Sequence, residues 1–361
     1  MKNKNLWVGP VLAWACALLS CLLSVSALAL PDVLERPAML ATRLDQRVLL
    51  AITAAGSRLV AVGEQGLVLL SDDQGKSWRQ AQVPVSVTLT NAYFVDPQQG
   101  WAVGHSGVVL HSTNGGQTWR KQLDGRQVAQ LLLATAQARQ PQDRLQMAEA
   151  QRLVADGPDK PFLDVHFLDA RHGLVVGAYG LALSTDDGGQ RWTPLLNIPN
   201  PQGKHLYRIA STGQDLYIAG EQGALFRSSD RGRYFVALPS PYEGSFFGLI
   251  AERNGLLLVF GLRGNLFRSQ DAGQSWQTID SGASVALVDG LRVRDGSLLL
   301  IDQSGRLLSS QDDGHSFRRL PITPLGPVAS VAETESGKLL LSGLHGITSV
   351  PLTSLSAGAQ Q

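Results

Sequence analysis

The sequence predicts an all-β fold: a seven-bladed β-propeller with Asp-box turns, an N-terminal strand closing the last blade, and a short helical insertion between blades 2 and 3. Three observations carry this. A Gly-x-x-Gly turn, with Asp302 in place of the first glycine in the sixth copy, recurs seven times, with its second glycine at Gly66, Gly107, Gly180, Gly223, Gly264, Gly305 and Gly346, at spacings of 41, 73, 43, 41, 41 and 41 residues. Six of these turns run through a short apolar strand into Ser/Thr-x-Asp/Asn-x-Gly-x-x-Trp/Phe, as SDDQGKSW, STNGGQTW, TDDGGQRW, SSDRGRYF, SQDAGQSW and SQDDGHSF. Each copy holds enough chain for four short strands, and a period near forty residues with four strands per copy is the pattern of propeller blades around an axis. That period overrides the two or three domains that 361 residues alone would suggest.

The elements follow in chain order. Residues 1–29 read as a signal peptide: Lys2 and Lys4 start it, Leu6 to Leu23 form its apolar run, and Ala27-Leu28-Ala29 is a small-x-small cleavage site. Residues 30–361 are then the propeller. Cys16 and Cys21 are the only cysteines and both leave with the signal, so no disulfide is expected. Acylation of Cys21 is the alternative, but the apolar sequence continues through Leu22, Leu23 and Val25 where a lipoprotein would open onto a polar tether. Net charge is +1 for the whole chain and −1 once Lys2 and Lys4 are lost, which gives no bulk attraction to nucleic acid or anionic lipid. Beyond the signal, no apolar run approaches the ~20 residues that span a bilayer.

Blade 1 shows the unit. Val48 to Thr53 is its inner strand, then come Arg58 to Val62, Leu67 to Ser71 and the outer strand Ser77 to Val83. The continuous apolar runs Leu59-Val60-Ala61-Val62 and Leu67-Val68-Leu69-Leu70 suit strands covered on both faces by neighbouring blades. In the Asp-box, Asp73 is expected to accept backbone N–H groups of its own turn, with Asn114, Asp187, Asp230, Asp271 and Asp312 in the same slot of the other copies. Asn114 supports a structural role, since an amide does the turn's hydrogen bonding but cannot replace a catalytic or metal-binding carboxylate. Calcium is disfavoured because no 12-residue acidic loop is present. The box tryptophans are expected between blades, so that Trp276→Ala would cost about 3–5 kcal/mol.

The long spacing carries 32 extra residues, within 124–160. Val128, Leu131, Leu132 and Thr135, then Leu145, Met147, Ala148, Gln151 and Val154, recur at helical spacing on either side of Pro141, which predicts a helical hairpin packed on the ring. In the seventh copy Pro351 stands where the box serine should fall, so that blade lacks an outer strand. Pro37 to Arg43 is the segment expected to supply it and remove the free edge.

The Gly-x-x-Gly turns, the hairpin and the entries to the inner strands emerge on one face. It gathers Arg47, Glu64, Gln65, His105, Tyr179, Tyr207, Arg208, Glu221, Gln222, Phe246, Phe247, Arg263, Gln303 and His345, with Arg126, Arg139, Arg144 and Arg152 on the hairpin. Aromatic and arginine residues of this kind anchor interfaces, so partner binding is assigned to Arg47, Glu64, His105, Tyr179, Tyr207, Arg208, Glu221, Phe247, Arg263 and His345. The seven histidines are scattered without ligand spacing, so no metal, cofactor or catalytic residue is assigned.

The paired signature VGEQGLVLLSDDQGKSW, repeated over nearly the whole mature chain behind an export signal, resembles the photosystem II stability and assembly factor propellers of plastids and cyanobacteria. The resemblance implies a non-enzymatic, monomeric scaffold or chaperone that binds a membrane protein or membrane-complex subunit, with no nucleic acid or small-molecule substrate. It would be exported to a periplasm or a thylakoid-lumen-like compartment. The cyanobacterial members are typically lipoproteins, and Cys21 departs from that pattern. A periplasmic accessory of an envelope transporter is the alternative client relationship. Asp-boxes also mark sialidases, and Tyr207-Arg208-Ile209-Ala210 resembles their Phe/Tyr-Arg-Ile-Pro segment. Here Ala210 replaces the proline, the segment follows the third box instead of preceding the first, and Tyr242-Glu243 on an extended strand would point apart.

Overall fold

A computed structural model describes residues 32–351 apart from positions 140 and 142, and the seven repeats fold in it as seven antiparallel sheets. The expected signal segment, with Cys16 and Cys21, lies outside the described residues. The innermost strands are Leu49–Ala55, Leu89–Phe94, Phe162–Phe167, Leu206–Ser211, Phe246–Ala251, Leu287–Arg292 and Val328–Glu333. Each packs on the innermost strands of both neighbouring blades, and the series closes from blade 7 back to blade 1. Seven apolar clusters fill the seven gaps. Val60 and Val62 belong to the cluster shared with blade 2, whereas Leu59 and Ala61 belong to the one shared with blade 7. Strict alternation between two buried faces is why this strand reads as an unbroken apolar run.

Every innermost strand carries a register shift against its neighbour near its start, between Leu49 and Ala51 and at the six equivalent positions. The extra residues are Leu50, Thr90, Leu163, Tyr207, Phe247, Val288 and Ala329. Such a bulge re-aims the side chains beside it, and here it separates residues that are adjacent in sequence into different surroundings.

The expected closure by Pro37–Arg43 does not occur. The seventh sheet has three strands, Val328–Glu333, Lys338–Gly343 and Gly346–Pro351, and the N-terminal segment is held on blade 1 instead. Leu34 is buried in the cluster between blades 1 and 2, Ser86 N donates to Val33 O, Ala38 N to Val83 O, and the Gln80 side chain bonds both Ala41 N and Met39 O. Burial of Leu34 and these bonds tie the segment to blade 1; Ala41 and Leu44 reach the seam cluster that also holds Ile347, but the segment forms no ladder with the last sheet. Side chains close the ring: Leu340 packs among Leu49, Ile52, Leu59 and Leu69, and Ser336 N donates to Gln74 Oε1 across the seam.

The extra length between blades 2 and 3 forms α1 (Gly125–Ala138) and α2 (Arg144–Asp156). Asp124 caps α1, accepting from Arg126 N and Gln127 N while Gln127 Oε1 accepts from Asp124 N, a reciprocal cap worth about 1 kcal/mol. Val128, Leu131 and Leu132 lay the apolar stripe of α1 on the cluster between blades 2 and 3. Asp143 caps α2 in the same way, through Leu145 N and Gln146 N.

Candidate partner-binding face

The Gly-x-x-Gly turns pack against the connections that lead from one blade's outer strand to the next blade's inner strand. Gly66 shows why glycine is needed: its φ is +74°, and a Cβ there would stand 2.1 Å from Val85 O. The residue before it, Gln65, is also left-handed at φ 56°, as are Ser106, Tyr179, Gln222 and Arg263 in the matching turns. A non-glycine residue in this region is strained, and the strain falls at the tips of the turns, where these side chains project. Sequence periodicity does not reveal it, because nothing in the residue type marks the conformation.

Glu64, Gln65, His105, Tyr179, Gln222, Arg263, Gln303 and His345 are exposed on this face; Arg47 and Glu221 are half-buried there. Glu221 accepts from His205 N at 3.1 Å. The turns bring one coherent feature together. Lys160 Nζ lies 5.0 Å above the Tyr179 ring, Tyr179 is 4.8 Å from His205, His205 stacks at 6.2 Å on Tyr207, and Tyr207 meets Phe247 edge-on at 5.4 Å. This aromatic row crosses from blade 3 to blade 5. Sequence reasoning singled out Tyr179, Tyr207 and Phe247 separately but missed Lys160 and His205, which join them. At its outer end the row opens on a cleft of about 680 Å³ between α2 and residues 195–203.

Two residues expected on the face are elsewhere. Phe246 is fully buried in the cluster between blades 4 and 5, because it precedes the bulge and keeps the core-facing side of its strand. Arg208 is paired with Asp289, whose side chain is only 5% exposed, across blade 5. Neither half of the sialidase-like pattern is presented to a ligand: Arg208 is engaged by Asp289, and the Tyr242 ring packs against Phe246 and Phe267. Among the described residues, no three His, Cys, Asp or Glu side chains stand together as a metal site.

The Asp-boxes lie at the other ends of the blades. Ser71 Oγ donates to Asp73 Oδ1 at 2.8 Å and accepts from Gly75 N at 2.8 Å, while Ser77 N donates to Asp73 Oδ1 at 2.9 Å. Asn114 accepts from Thr118 N at 3.0 Å and Asp187 from Arg191 N at 2.9 Å, and Asp230, Asp271 and Asp312 repeat the bond with Tyr234, Ser275 and Ser316. The Ser77 hydroxyl, then its N–H and the Ser71 hydroxyl, hold the Asp73 carboxyl down to about 2.

Near the axis, burial pushes the Asp164 carboxyl up to about 6, against the pull of Arg208 and of hydrogen bonds from Ile209 N, Val165 N and Asn91. Burial, with the Arg208 charge adding to it, pushes His166 down to about 4. The two act oppositely on stability. As pH falls from 6 towards the unfolded value of 3.8, the folded chain gains a proton at Asp164 and is stabilised; from 6.5 to 4 the unfolded chain gains one at His166 and folding is disfavoured. Asp164→Asn removes the first effect alone. Its stability deficit relative to the wild type should therefore grow as pH falls from 6 to 4, with a slope up to about 1.4 kcal/mol per pH unit. Urea unfolding of both proteins across that range measures it, and a deficit independent of pH would refute the assignment.

Comparison with known proteins agrees with this architecture. A family model described as photosynthesis system II assembly factor YCF48 matches residues 70–137 and 146–320. The photosystem II assembly lipoprotein Ycf48 of Synechococcus sp. (strain CC9902) is 39% identical over 77 residues, 21% of this chain and 23% of that protein. The aligned stretch thus spans less than a quarter of the relative. The structure of YCF48 from Cyanidioschyzon merolae superposes with a TM-score of 0.62 over 88% of this chain and 98% of that one, at 15% identity. YCF48 bound to D1 peptide gives a TM-score of 0.62 over 85% and 94%, at 16% identity. At such identities the structural likeness establishes the seven-bladed fold.

Proposed function

The chain belongs to the YCF48 family of photosystem II assembly factors, and from that premise we propose that it is a non-enzymatic assembly factor. It holds a segment of a membrane-protein subunit on the face bearing the Gly-x-x-Gly turns. The observation that carries this reading is the aromatic row from Tyr179 through His205 and Tyr207 to Phe247. Half-exposed rings on a rigid scaffold offer large contact area at small entropic cost, which is how interface anchors work. The opposite face repeats nearly the same Asp-box turn and has little with which to discriminate a client. One YCF48 structure holds D1 peptide, which supports a peptide segment as the ligand. The Synechococcus relative is a lipoprotein, which supports an exported, membrane-associated location, in a periplasm or its equivalent.

The test is capture of the client by crosslinking in the native envelope. Tyr207→Ala combined with Phe247→Ala should fold normally, since both rings are half-buried at the surface, and should weaken capture at least about tenfold, two anchors being worth more than ~1.4 kcal/mol together. Undiminished capture by this variant, with loss on changing the exposed Lys76 of an Asp-box, would move the interface to the other face.

A further inference from the structure

We propose that the cleft between α2 and residues 195–203 docks a stretch of the client in which a bulky apolar side chain stands beside a basic one; this rests on the assembly-factor reading above. The cleft is lined by Leu132, Leu145, Leu153, Leu181, Leu196 and Ile198. Two of them are exposed, Leu145 at 77% and Leu196 at 42%, although the stripe of α1 beside them is packed on the ring. Covering such aliphatic surface gains about 25 cal/mol per Å².

The charges choose the partner. The two basic groups of the cleft are already matched, Arg152 by Asp156 at 3.5 Å and Lys160 by Asp159 at 2.6 Å and Asp156 at 3.5 Å. Asp143 and Glu149 have no cationic partner among the described residues. Glu149 lies one helical turn from both Leu145 and Leu153 on α2, so a free carboxylate borders the apolar surface directly. With the Asp143 carboxylate engaged as the cap of α2, the unmatched carboxylate is that of Glu149, and it favours a cationic side chain beside it and disfavours an acidic one. At the inner end, the Tyr179 ring is 61% exposed and already carries the Lys160 ammonium over it. The exposed remainder of the ring offers aromatic contact area to an apolar side chain of a partner. From there the rings follow one another at 4.8, 6.2 and 5.4 Å, a continuous row that suits an extended segment laid along it from the cleft.

A random peptide library displayed on phage and selected on the full-length protein tests the specificity. The best binder, labelled with fluorescein, is then titrated by anisotropy against the wild type and against Leu145→Asp and Glu149→Lys, both at exposed positions where folding is not at risk. Selected peptides should pair Lys or Arg with a bulky apolar residue. Leu145→Asp should weaken binding at least about tenfold, and Glu149→Lys should shift preference towards a version of the peptide with glutamate in place of its basic residue. Selection of acidic or featureless peptides, or binding unmoved by both substitutions, would overturn the proposal. So would a dimer in light scattering that Leu145→Asp dissolves, because the occupant would then be a second copy. Envelope capture separates this from the assembly-factor reading: if the cleft variants capture the client like the wild type and the Tyr207/Phe247 variant does not, the cleft assignment fails and the face assignment stands.

Discussion

Asp289→Ala is expected to cost about 3–5 kcal/mol, because it strips the counter-charge and acceptor from a network tying four blades together. Asp289 on blade 6 accepts from Gly290 N at 2.9 Å, from Ser330 Oγ at 2.8 Å and from Val331 N at 3.0 Å on blade 7, and pairs with Arg208 on blade 4. Ser330 Oγ accepts in turn from Ile52 N on blade 1. Blade 5, which Arg208 spans, has Gly248 at the equivalent position, where a Cβ would stand 2.0 Å from the Phe260 ring. Removing the carboxylate leaves three donors and a guanidinium without their acceptor. Asp289→Asn should cost less, since the amide oxygen still accepts from the backbone while Arg208 loses its counter-charge. Arg208→Ala should also cost less, about 1–3 kcal/mol, because Asp289 keeps its three other donors. Urea midpoints with unchanged m-values measure all three. A loss under about 1 kcal/mol for Asp289→Ala would show that the network is dispensable.

This network explains where sequence reading stopped. Turn glycines and box residues were legible because each acts within a few residues of itself: Ser71, Asp73, Gly75 and Ser77 bond one another, so the pattern survives as a string. Arg208 and Asp289 are separated by 81 positions, and nothing local says they meet. Arg208 was assigned to the face because it follows Tyr207 at a strand entry. The bulge then sends Tyr207 to the surface row and Arg208 to the ring network. A signal was present: Asn91, Asp164, Arg208, Asp289 and Ser330 put polar residues two positions after the strand's first residue, at the repeat spacing. Closure failed for a related reason. The sequence showed that blade 7 lacked a strand and blade 1 had chain to spare, but not that Leu34 and the bonds to blade 1 hold that chain so that only side chains such as Ala41 and Leu44 reach the seam.

Trp101→Ala should match the loss at Asp289, about 3–5 kcal/mol, and exceed truncation of any Asp-box tryptophan. Trp101 belongs to no box. It is fully buried between blades 2 and 3, stacked on Phe167 at 3.5 Å and on His111 at 4.6 Å. Truncation removes an aromatic that buries about 150–250 Å² and leaves a void lined by two rings held on separate strands, which cannot collapse without moving both blades. Its indole N–H has no acceptor among the described residues, so losing that group returns part of the cost. The box residues grade downward from there. Trp119 and Trp192 are buried, whereas Trp276 is half-buried with its N–H donated to Pro239 O at 2.8 Å, and Trp78 is half-buried as well. The cost of about 3–5 kcal/mol that the motif suggests for Trp276→Ala therefore falls, since part of that ring stays in water when folded. Parallel urea titrations of Trp101→Ala, Trp192→Ala and Trp276→Ala should give losses in that descending order. If Trp276→Ala proved as damaging as Trp101→Ala, the turn rather than inter-blade burial would govern the stability of the ring.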